Sequence, residues 1–388
     1  MGTVGFWNTV KRGIRQLACR RIYVVAMVIV PVGSALFFLD LLDEGLPLGV
    51  PVAVVDLDDS PMSRDVIRSL DAMDVVDIGV EAASYTEAYD LTRRGEIFGF
   101  FMIPDDFGKE AVSGRKPTIS YYCNMAGYIP GTLSFKGFKT VAVSTSGKMV
   151  ETVLVSTGMD ESGADAVLQP VVIQEHLIGN PWSNYAIYLG NSFIPGVVAL
   201  MTMLVAAYSI GDEIKCGSSR QWLETARGSI AVAVAGKLFP QAVVFSVIGI
   251  FCQSLLYGYM HFPLNGSPLL VVTAMVLLVV ASQAFALIFC CIIPNLRLSL
   301  SIVSLLGILS FSITGFSFPV QNMYGAVGIF SYIIPLRYYF LIYVDQALNG
   351  IPLYYSRWYF AALLTFPVVA MSLLWNLKRA CIRSVYVP

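Results

Sequence analysis

An uncharged apolar stretch near the N-terminus, residues 22–39 (IYVVAMVIVPVGSALFFL), most constrains what this chain can fold into. At about 1.5 Å of rise per residue, a helix of this length nearly crosses a hydrocarbon core of about 30 Å. Basic residues precede the stretch, namely Lys11, Arg12, Arg15, Arg20 and Arg21, whereas acidic residues follow it, namely Asp40, Asp43 and Glu44. Because basic residues beside a span stay cytoplasmic, the N-terminus is predicted inside and the chain beyond residue 42 outside. A cleaved signal peptide is the alternative, but no small-residue cleavage site follows and further apolar stretches come later.

The composition is that of a membrane protein. Hydrophobic residues make up 56% of the chain and charged residues 13%, with a mean hydropathy of +0.69, which is too apolar for an ordinary soluble protein. The net charge of −1 offers no basic surface for nucleic acid. Most acidic residues fall within residues 43–180, and the rest of the chain consists mainly of apolar blocks. We therefore predict an all-α membrane bundle with an inserted extracytoplasmic α/β domain.

The cysteines and histidines do not form a metal-binding pattern. There are seven cysteines and two histidines, none of the cysteines in a C-x-x-C spacing. Only Cys123 falls in the predicted external domain, so that domain cannot form an internal disulfide. We expect the thiols to act as small apolar side chains and the chain to bind no metal or cofactor.

Residues 1–21 have apolar side chains at helical spacing, namely Phe6, Val10, Ile14 and Leu17, with basic residues between them. This pattern predicts a helix lying in the cytoplasmic membrane interface. A disordered N-terminus is the alternative.

Strand and helix signals alternate in residues 43–182, the predicted external domain. Ser60-Pro61 is a helix start, Ser84 and Glu87 form a capping box, and Gly95 ends the helix that they begin. The predicted strands are residues 51–56, 75–80, 97–103, 118–122 and 171–174, and the predicted helices are residues 60–73, 84–95, 105–112 and 132–157. Such alternation favours helices packed on a small sheet, in a domain of about 140 residues that holds its own core.

Two groups in this domain have both a functional and a structural interpretation. Asp56, Asp58 and Asp59 can be metal ligands, but short acidic residues at a strand end more often form a turn before a helix N-terminus. Four aromatic residues can contact an apolar passenger or pack in the core, which we favour: Tyr121, Tyr122, Tyr128 and Phe135.

Five further apolar blocks follow, at residues 187–210, 238–259, 269–293, 298–316 and 358–377. Counted from the first span, loop 211–237 is cytoplasmic and carries basic residues, whereas loop 260–268 is external and has none. Arg337 and Arg357 are the external exceptions. We predict six spans, in residues 22–42 and 183–388, with both termini in the cytoplasm and with Lys237 snorkelling to the inner interface.

Residues 317–357 are apolar but interrupted by proline and glycine, so short re-entrant helices are expected there. Seventh and eighth spans are the alternative, and they would break the charge pattern.

The chain has no nucleotide-binding P-loop, because neither Gly147-Lys148 nor Gly236-Lys237 has the required spacing. Its apolar blocks hold almost no charged residues, which weighs against an ion-coupled carrier. The energy for any transport must therefore come through a partner. Loop 211–237 is the sizeable cytoplasmic surface that can receive it.

Four motifs occur in order along the chain. They are VVDLDDSPMSR at residues 54–64, RGEI at 94–97 with IPDDF at 103–107, GKLFP at 236–240, and TGFSFP at 314–319 with Met323 and then IPLRY at 334–338. In this order and on these predicted sides of the membrane, they resemble the permease subunits of type-2 ATP-binding-cassette (ABC) exporters. The branch that they resemble has a large external domain after the first span. The likeness extends over nearly the whole chain.

The cytoplasmic loop departs from the family pattern. Arg220 stands where the family usually has Glu, and Ala226 follows Thr225 where Pro is usual. This departure implies an unusual matching groove on the partner, or the less standard half of a permease pair.

The resemblance implies two paired permeases, as a homodimer or a heterodimer, and two ATPase subunits docked against residues 211–228. ATP and Mg would be bound by the ATPase. The residues expected to contact it are Glu213, Lys215, Arg220, Trp222, Glu224 and Thr225. The residues expected to form the re-entrant segment and outer vestibule are Phe316, Phe318, Pro319, Met323, Pro335, Arg337 and Tyr338. A solvated loop without a coupling role is the alternative for the first set.

The passenger is expected to be drug-like, amphipathic or lipid-like, because the vestibule is aromatic and has no charge-lined tunnel. The family suggests a bacterial cytoplasmic (inner) membrane location, contact with membrane lipid, and a periplasmic adaptor for the external domain. A non-transporting membrane scaffold or receptor, acting through its external domain, is the alternative function.

Overall fold

The computed structural model describes residues 2–43, 45, 48–113, 117–124, 128–156, 179–180 and 184–383. The chain divides into two compact units. One contains Met1–Gly45 and Leu177–Pro388, and the other contains Leu46–His176. We describe each unit separately.

The helices and strands are numbered in chain order. The first half contains α1 Gly2–Cys19, α2 Arg21–Leu41, β1 Val50–Asp56, α3 Pro61–Asp71, β2 Val76–Glu81, α4 Tyr85–Arg94, β3 Gly99–Ile103, α5 Phe107–Val112, β4 Ser120–Cys123 and α6 Tyr128–Ser156. The second half contains α7 Tyr185–Lys215, α8 Ser219–Thr225, α9 Ile230–Tyr259, α10 Pro268–Ile292, α11 Leu296–Ile313, α12 Gly325–Ser331, α13 Pro335–Leu348 and α14 Leu353–Arg383.

Within the described residues of the first unit, six helices are long and apolar enough to cross a membrane, as predicted: α2, α7, α9, α10, α11 and α14. The chain is therefore a multi-pass membrane protein. The second and third of these helices extend beyond the apolar blocks predicted for them. Helix α7 continues through Glu213, and α9 begins at Ile230, about two turns before Lys237. Charged residues thus lie inside the ends of two spans, where the sequence analysis placed a loop.

Residues 317–357 form short helices, as predicted. A single 3-10 turn, Val320–Asn322, precedes α12, and α12 meets α13 at an angle of 80°. This geometry fits a re-entrant pair or one broken span. Full-length seventh and eighth spans are absent from this described segment.

Helix α1 confirms the helix predicted for residues 1–21, and it packs closely on α9. A Cβ added at Gly236 of α9 would lie 2.7 Å from Cβ of Thr9, and one added at Gly13 would lie 3.3 Å from Pro240. These glycines let the two helix backbones approach each other. The interfacial location of α1 stays a prediction.

The second unit contains a four-stranded sheet in the order β2-β1-β3-β4. Strand β1 pairs in parallel with β2 and β3, and β4 pairs antiparallel with β3. Four of the five predicted strands are thus present, and the fifth, at residues 171–174, lies outside the described residues. The predicted helix at residues 132–157 is α6.

Both faces of this sheet are covered. Alternate residues of β1 point to opposite faces, so that Val52 and Val54 pack with α3 and α6 while Ala53 and Val55 pack with α4. Burial on both faces explains why β1 reads as a continuous apolar run instead of alternating.

The caps predicted from the sequence are present. The Ser60 hydroxyl accepts the backbone N–H of Ser63 at 3.1 Å, and that of Ser84 accepts the N–H of Glu87 at 3.3 Å. Gly95 ends α4 in the left-handed conformation, at φ 76°.

Candidate coupling site and outer segment

The chain between α7 and α9 folds as a short helix held between two glycine turns. Helix α8 has seven residues, and the turns before and after it use Gly217 at φ 68° and Gly228 at φ 78°. Both values are in the left-handed region, which glycine adopts without strain. These turns allow the chain to leave one span, form α8 and enter the next.

Glu213, at the end of α7, accepts hydrogen bonds from four side chains. Its Oε2 accepts from Nη2 of Arg12 at 2.8 Å and from the hydroxyl of Ser218. Its Oε1 accepts from Nε2 of Gln16 at 2.8 Å and from Nζ of Lys237 at 2.5 Å. The carboxylate is 1% exposed. It therefore joins α1, the start of the loop and α9 at one buried point.

Lys237 is buried, so the prediction that it snorkels to the interface was wrong. Its side chain is 4% exposed, its ammonium donates to Gln16 Oε1 at 2.9 Å, and it lies 5.2 Å from the ring centroid of Trp222. A buried ammonium is stable only when paired, and here a carboxylate, an amide oxygen and an aromatic face take the place of water.

Trp222 anchors α8 to α9. Its side chain is 1% exposed, and its indole N–H donates to the carbonyl of Ala233 in α9 at 3.2 Å. The structure thus brings two of the predicted contact residues, Trp222 and Glu213, into the interior of this chain. Neither side chain reaches the surface in this conformation.

The other predicted contact residues remain accessible. Lys215, Arg220 and Glu224 are exposed, and Thr225 is partly exposed with its hydroxyl on the carbonyl of Gln221 at 2.7 Å. The guanidinium of Arg220 donates to the carbonyl of Ile382 in α14 at 3.0 and 3.3 Å. A cleft of about 540 Å³ lies beside it, lined by Arg220, Leu223, Glu224, Arg227, Gly228, Lys378 and Ile382.

The sequence analysis missed several members of this network. Arg20 of the α1–α2 junction donates to Asp212 at 2.6 Å, and this hydrogen bond raises the pKa of the Arg20 guanidinium. Arg12 and Gln16 were missed as well. Their spacing of four residues places them on one face of α1, which was the available signal that they share a partner.

The outer-segment residues divide into a buried and an exposed group. Phe316 packs with its ring centroid 5.7 Å from Phe193, and its carbonyl accepts the Tyr188 hydroxyl. Pro335 and Arg337 are buried at the start of α13, and the Tyr338 hydroxyl donates to the carbonyl of Tyr332 at 2.6 Å. The remaining members are at or near the surface: Phe318, Pro319 and Met323.

In the second unit, the acidic residues after β1 form a turn. Asp56 Oδ1 accepts the N–H groups of Asp58 and Asp59 at 3.0 and 3.2 Å, and its Oδ2 accepts the Ser63 hydroxyl at 2.6 Å. Asp58 accepts the N–H of Gly108 at 3.0 Å. Within the described residues, no group of three or more potential ligand residues is placed to hold a metal ion. The turn interpretation is confirmed.

The aromatic residues of this unit also have structural partners. Tyr121 stacks on Phe101 at 4.7 Å and on Phe138 at 5.4 Å, as core packing predicts. Tyr122 stacks on Phe100 at 4.8 Å although it is 39% exposed, and Phe135 is 52% exposed. The side chain of Tyr128 lies outside the described part of the chain.

Comparison with known proteins agrees with the membrane helices and the connecting loop. The sequence matches the family model described as "ABC-2 family transporter protein" over residues 21–376. The comparison with curated proteins finds no match. The matched region includes five of the six long helices, α8, the outer segment and α14 as far as residue 376. The chain therefore belongs to the ABC-2 family of transporter proteins, as a membrane permease subunit whose family works with an ABC ATPase.

Proposed function

We propose that this permease is an exporter subunit that receives the motion of a separate ATPase through the exposed face of α8. It would move a drug-like, amphipathic or lipid-like molecule out of the cytoplasm or the inner leaflet. ATP and Mg would be bound by the ATPase, and this chain would pair with a second permease, identical or different. The scaffold or receptor function, exerted through the second unit, remains the alternative.

The observation that carries the proposal is the two-sided character of α8. One face is buried by Trp222 and Leu223, while Arg220 and Glu224 are exposed on the other. A short helix between two membrane-capable helices, with one face anchored and one charged face free to dock, is suited to transmit a push. Nothing else described in the loop between α7 and α9 combines these features.

The buried ion pair divides the predicted contact residues into two roles. Glu213 and Trp222 would act as positioning residues, because their side chains tie α8 to α1, α7 and α9. Lys215, Arg220, Glu224 and Thr225 would contact the ATPase. Arg220 would also carry motion to α14, through its bonds to the Ile382 carbonyl. A push on α8 would thus move α1 together with the ends of three membrane-capable helices, α7, α9 and α14.

The location and assembly belong to the same proposal. A bacterial cytoplasmic membrane with both termini inside would place α8 beside nucleotide, as the basic residues before α2 favour. The second unit would then be extracytoplasmic and able to meet a periplasmic adaptor. Support comes from charge patterning and from the family.

The proposal is tested by exchanging charges on the exposed face of α8. The variant Arg220→Glu with Glu224→Arg should express and fold normally but should lose co-purification of the partner ATPase subunit. Arg297→Glu is the matched control, because Arg297 is exposed in the first turn of α11, after the α10–α11 turn that the six-span prediction places in the cytoplasm. Unchanged ATPase recovery with the α8 variant would overturn the docking assignment.

A second readout separates transport from scaffolding. The reconstituted permease–ATPase complex should hydrolyse ATP faster when amphipathic compounds are added, and the α8 charge exchange should abolish the stimulation. An ATPase that never associates with the wild-type chain would favour the scaffold or receptor.

A further inference from the structure

Arg337 is a buried cation without a carboxylate. Its side chain lies in α13 and is 8% exposed, and no acidic group of the described chain forms an ion pair with it. A buried charge that is left uncompensated costs several kcal/mol. It also stands on the predicted external side, against the usual distribution of basic residues. The described residues supply no counter-charge for it.

The contacts of Arg337 leave a buried donor unused. The guanidinium has five N–H donors, and Nη1 donates to the carbonyl of Thr314 at 3.2 Å. Its carbon lies 4.6 Å from the ring centroid of Tyr332. The buried Nε has no hydrogen-bond partner. The carbonyl and the aromatic ring hold the side chain in place but do not neutralise it.

A second unpaired group lies on the residue that Arg337 contacts. The hydroxyl of Thr314 is buried and has no hydrogen-bond partner, and Thr314 is 0% exposed. The next residue, Gly315, has φ 107°, and a Cβ added there would lie 3.4 Å from Nη1 of Arg337. A Cβ there would also lie 3.1 Å from Cγ2 of Val320, so glycine avoids a side chain that would crowd both neighbours.

The helix itself adds positive potential at the same place. Arg337 is the third residue of α13, within the first turn, and Ile334 before it supplies no side-chain cap. The N–H groups of a first helical turn have no partners within the helix, and they favour an anion. A cation in the first turn is unfavourable on its own. An acceptor with several oxygens would satisfy the charge, the free hydroxyl and the helix terminus together.

We propose that Arg337, the Thr314 hydroxyl and the first turn of α13 bind one oxyanion of the phosphate type. The phosphate of an anionic lipid and free inorganic phosphate are its two sources. Tyr332, which contacts the guanidinium, is exposed, as are the nearby chain neighbours Ile329 and Ile333, and these apolar side chains offer a surface for an acyl chain. The site goes beyond the proposed export function and does not depend on an ATPase.

The test uses the full-length protein, purified in detergent and freed of lipid. Its thermal unfolding is followed while phosphatidylglycerol or phosphatidylcholine is added to the micelles, and separately while inorganic phosphate replaces chloride at equal ionic strength. Phosphatidylglycerol should raise the unfolding temperature more than phosphatidylcholine does, or phosphate should raise it more than chloride does, or both. Stabilisation by the lipid alone identifies a lipid headgroup, and stabilisation by phosphate identifies a free ion.

Variants assign the effect to the site. Arg337→Gln should weaken the apparent affinity about tenfold or more, the loss expected for a charged hydrogen bond. Arg357→Gln is the matched control and should keep the effect, because Arg357 is exposed and stacks 4.0 Å from the Tyr354 ring. Thr314→Val removes only the hydroxyl and should also weaken binding. This second variant keeps the test decisive if Arg337→Gln does not fold. No stabilisation of the wild type, or full stabilisation of Arg337→Gln and Thr314→Val, would overturn the proposal.

Discussion

The ammonium of Lys237 lies 2.5 Å from Oε1 of Glu213, and both side chains are almost fully buried. The ion pair links the end of α7 to the interior of α9. Arg12 and Gln16 of α1 donate hydrogen bonds to the same carboxylate. Three parts of the chain that are distant in sequence thus meet at one point. This contact holds these parts together at the predicted cytoplasmic end of the permease.

Removing the charge of Glu213 should destabilise the first unit strongly. Glu213→Gln leaves the Lys237 ammonium buried without a carboxylate, which costs about 3–5 kcal/mol. Unfolding in mixed micelles with increasing sodium dodecyl sulfate measures the change. Asp212→Asn is the control and should cost about 1 kcal/mol or less, because the Arg20–Asp212 pair is more exposed. Adding Lys237→Met to Glu213→Gln should restore most of the lost stability, because the unpaired charge is then removed. A double variant no more stable than Glu213→Gln would show that the unpaired Lys237 charge is not the cause.

The close approach of α1 to α9 predicts a steric effect at Gly236. Gly236→Leu should push α1 away, since even a Cβ would lie 2.7 Å from Thr9. Trypsin should then cleave at Lys11 or Arg15 several times faster than in the wild type. Gly258→Leu on the same helix meets no atom within 4 Å of its Cβ, so its cleavage rate should not change. Equal rates for both variants would mean that α1 is not held by this contact.

The acidic turn after β1 should respond to mutation and not to metal. Asp56→Ala removes the acceptor for three donors, which should lower the local stability of α3 by about 1–3 kcal/mol. Amide hydrogen exchange in α3 of the full-length protein should accelerate accordingly. Asp77→Ala, an exposed aspartate of β2, is the control. Added calcium or magnesium should not protect the wild-type turn. If calcium or magnesium slowed exchange in the wild type but not in Asp56→Ala, the turn would instead be a metal site.

Tyr121 predicts a loss of stability at alkaline pH. Burial raises the pKa of Tyr121 to about 12, whereas an unfolded tyrosine has a pKa of about 10. The neutral phenol therefore contributes stability that is complete below pH 10 and is lost between pH 10 and 12. Tyr121→Phe also lacks the 2.5 Å bond to the Ser134 hydroxyl, so it should be less stable than the wild type below pH 10, and the difference should shrink by pH 12. A difference that stays constant across this range would exclude the shifted pKa as its cause.

Hydropathy and capping residues predicted the long helices, the four described strands and the ends of α3 and α4. These features depend on neighbours in sequence: Ser60 bonds only three residues away. The environment of Glu213 could not be found in this way, because its partners Arg12 and Lys237 lie 201 and 24 residues distant. A charge next to an apolar block reads equally well as a solvated loop residue or as half of a buried pair. For the same reason Trp222 was expected at the surface, where aromatic residues often bind partners, although its indole N–H has an internal acceptor.

The sidedness of α8 and of the second unit underlies the whole functional account. It can be measured with a membrane-impermeant maleimide on intact spheroplasts. Replacing the accessible cysteines Cys19, Cys123 and Cys216 with serine leaves the four buried ones in place, and one new cysteine is then introduced at Glu96 or at Arg220, both exposed. We predict labelling at position 96 in intact cells and labelling at position 220 only after the membrane is broken. Labelling at 220 in intact cells, with 96 protected, would contradict the account.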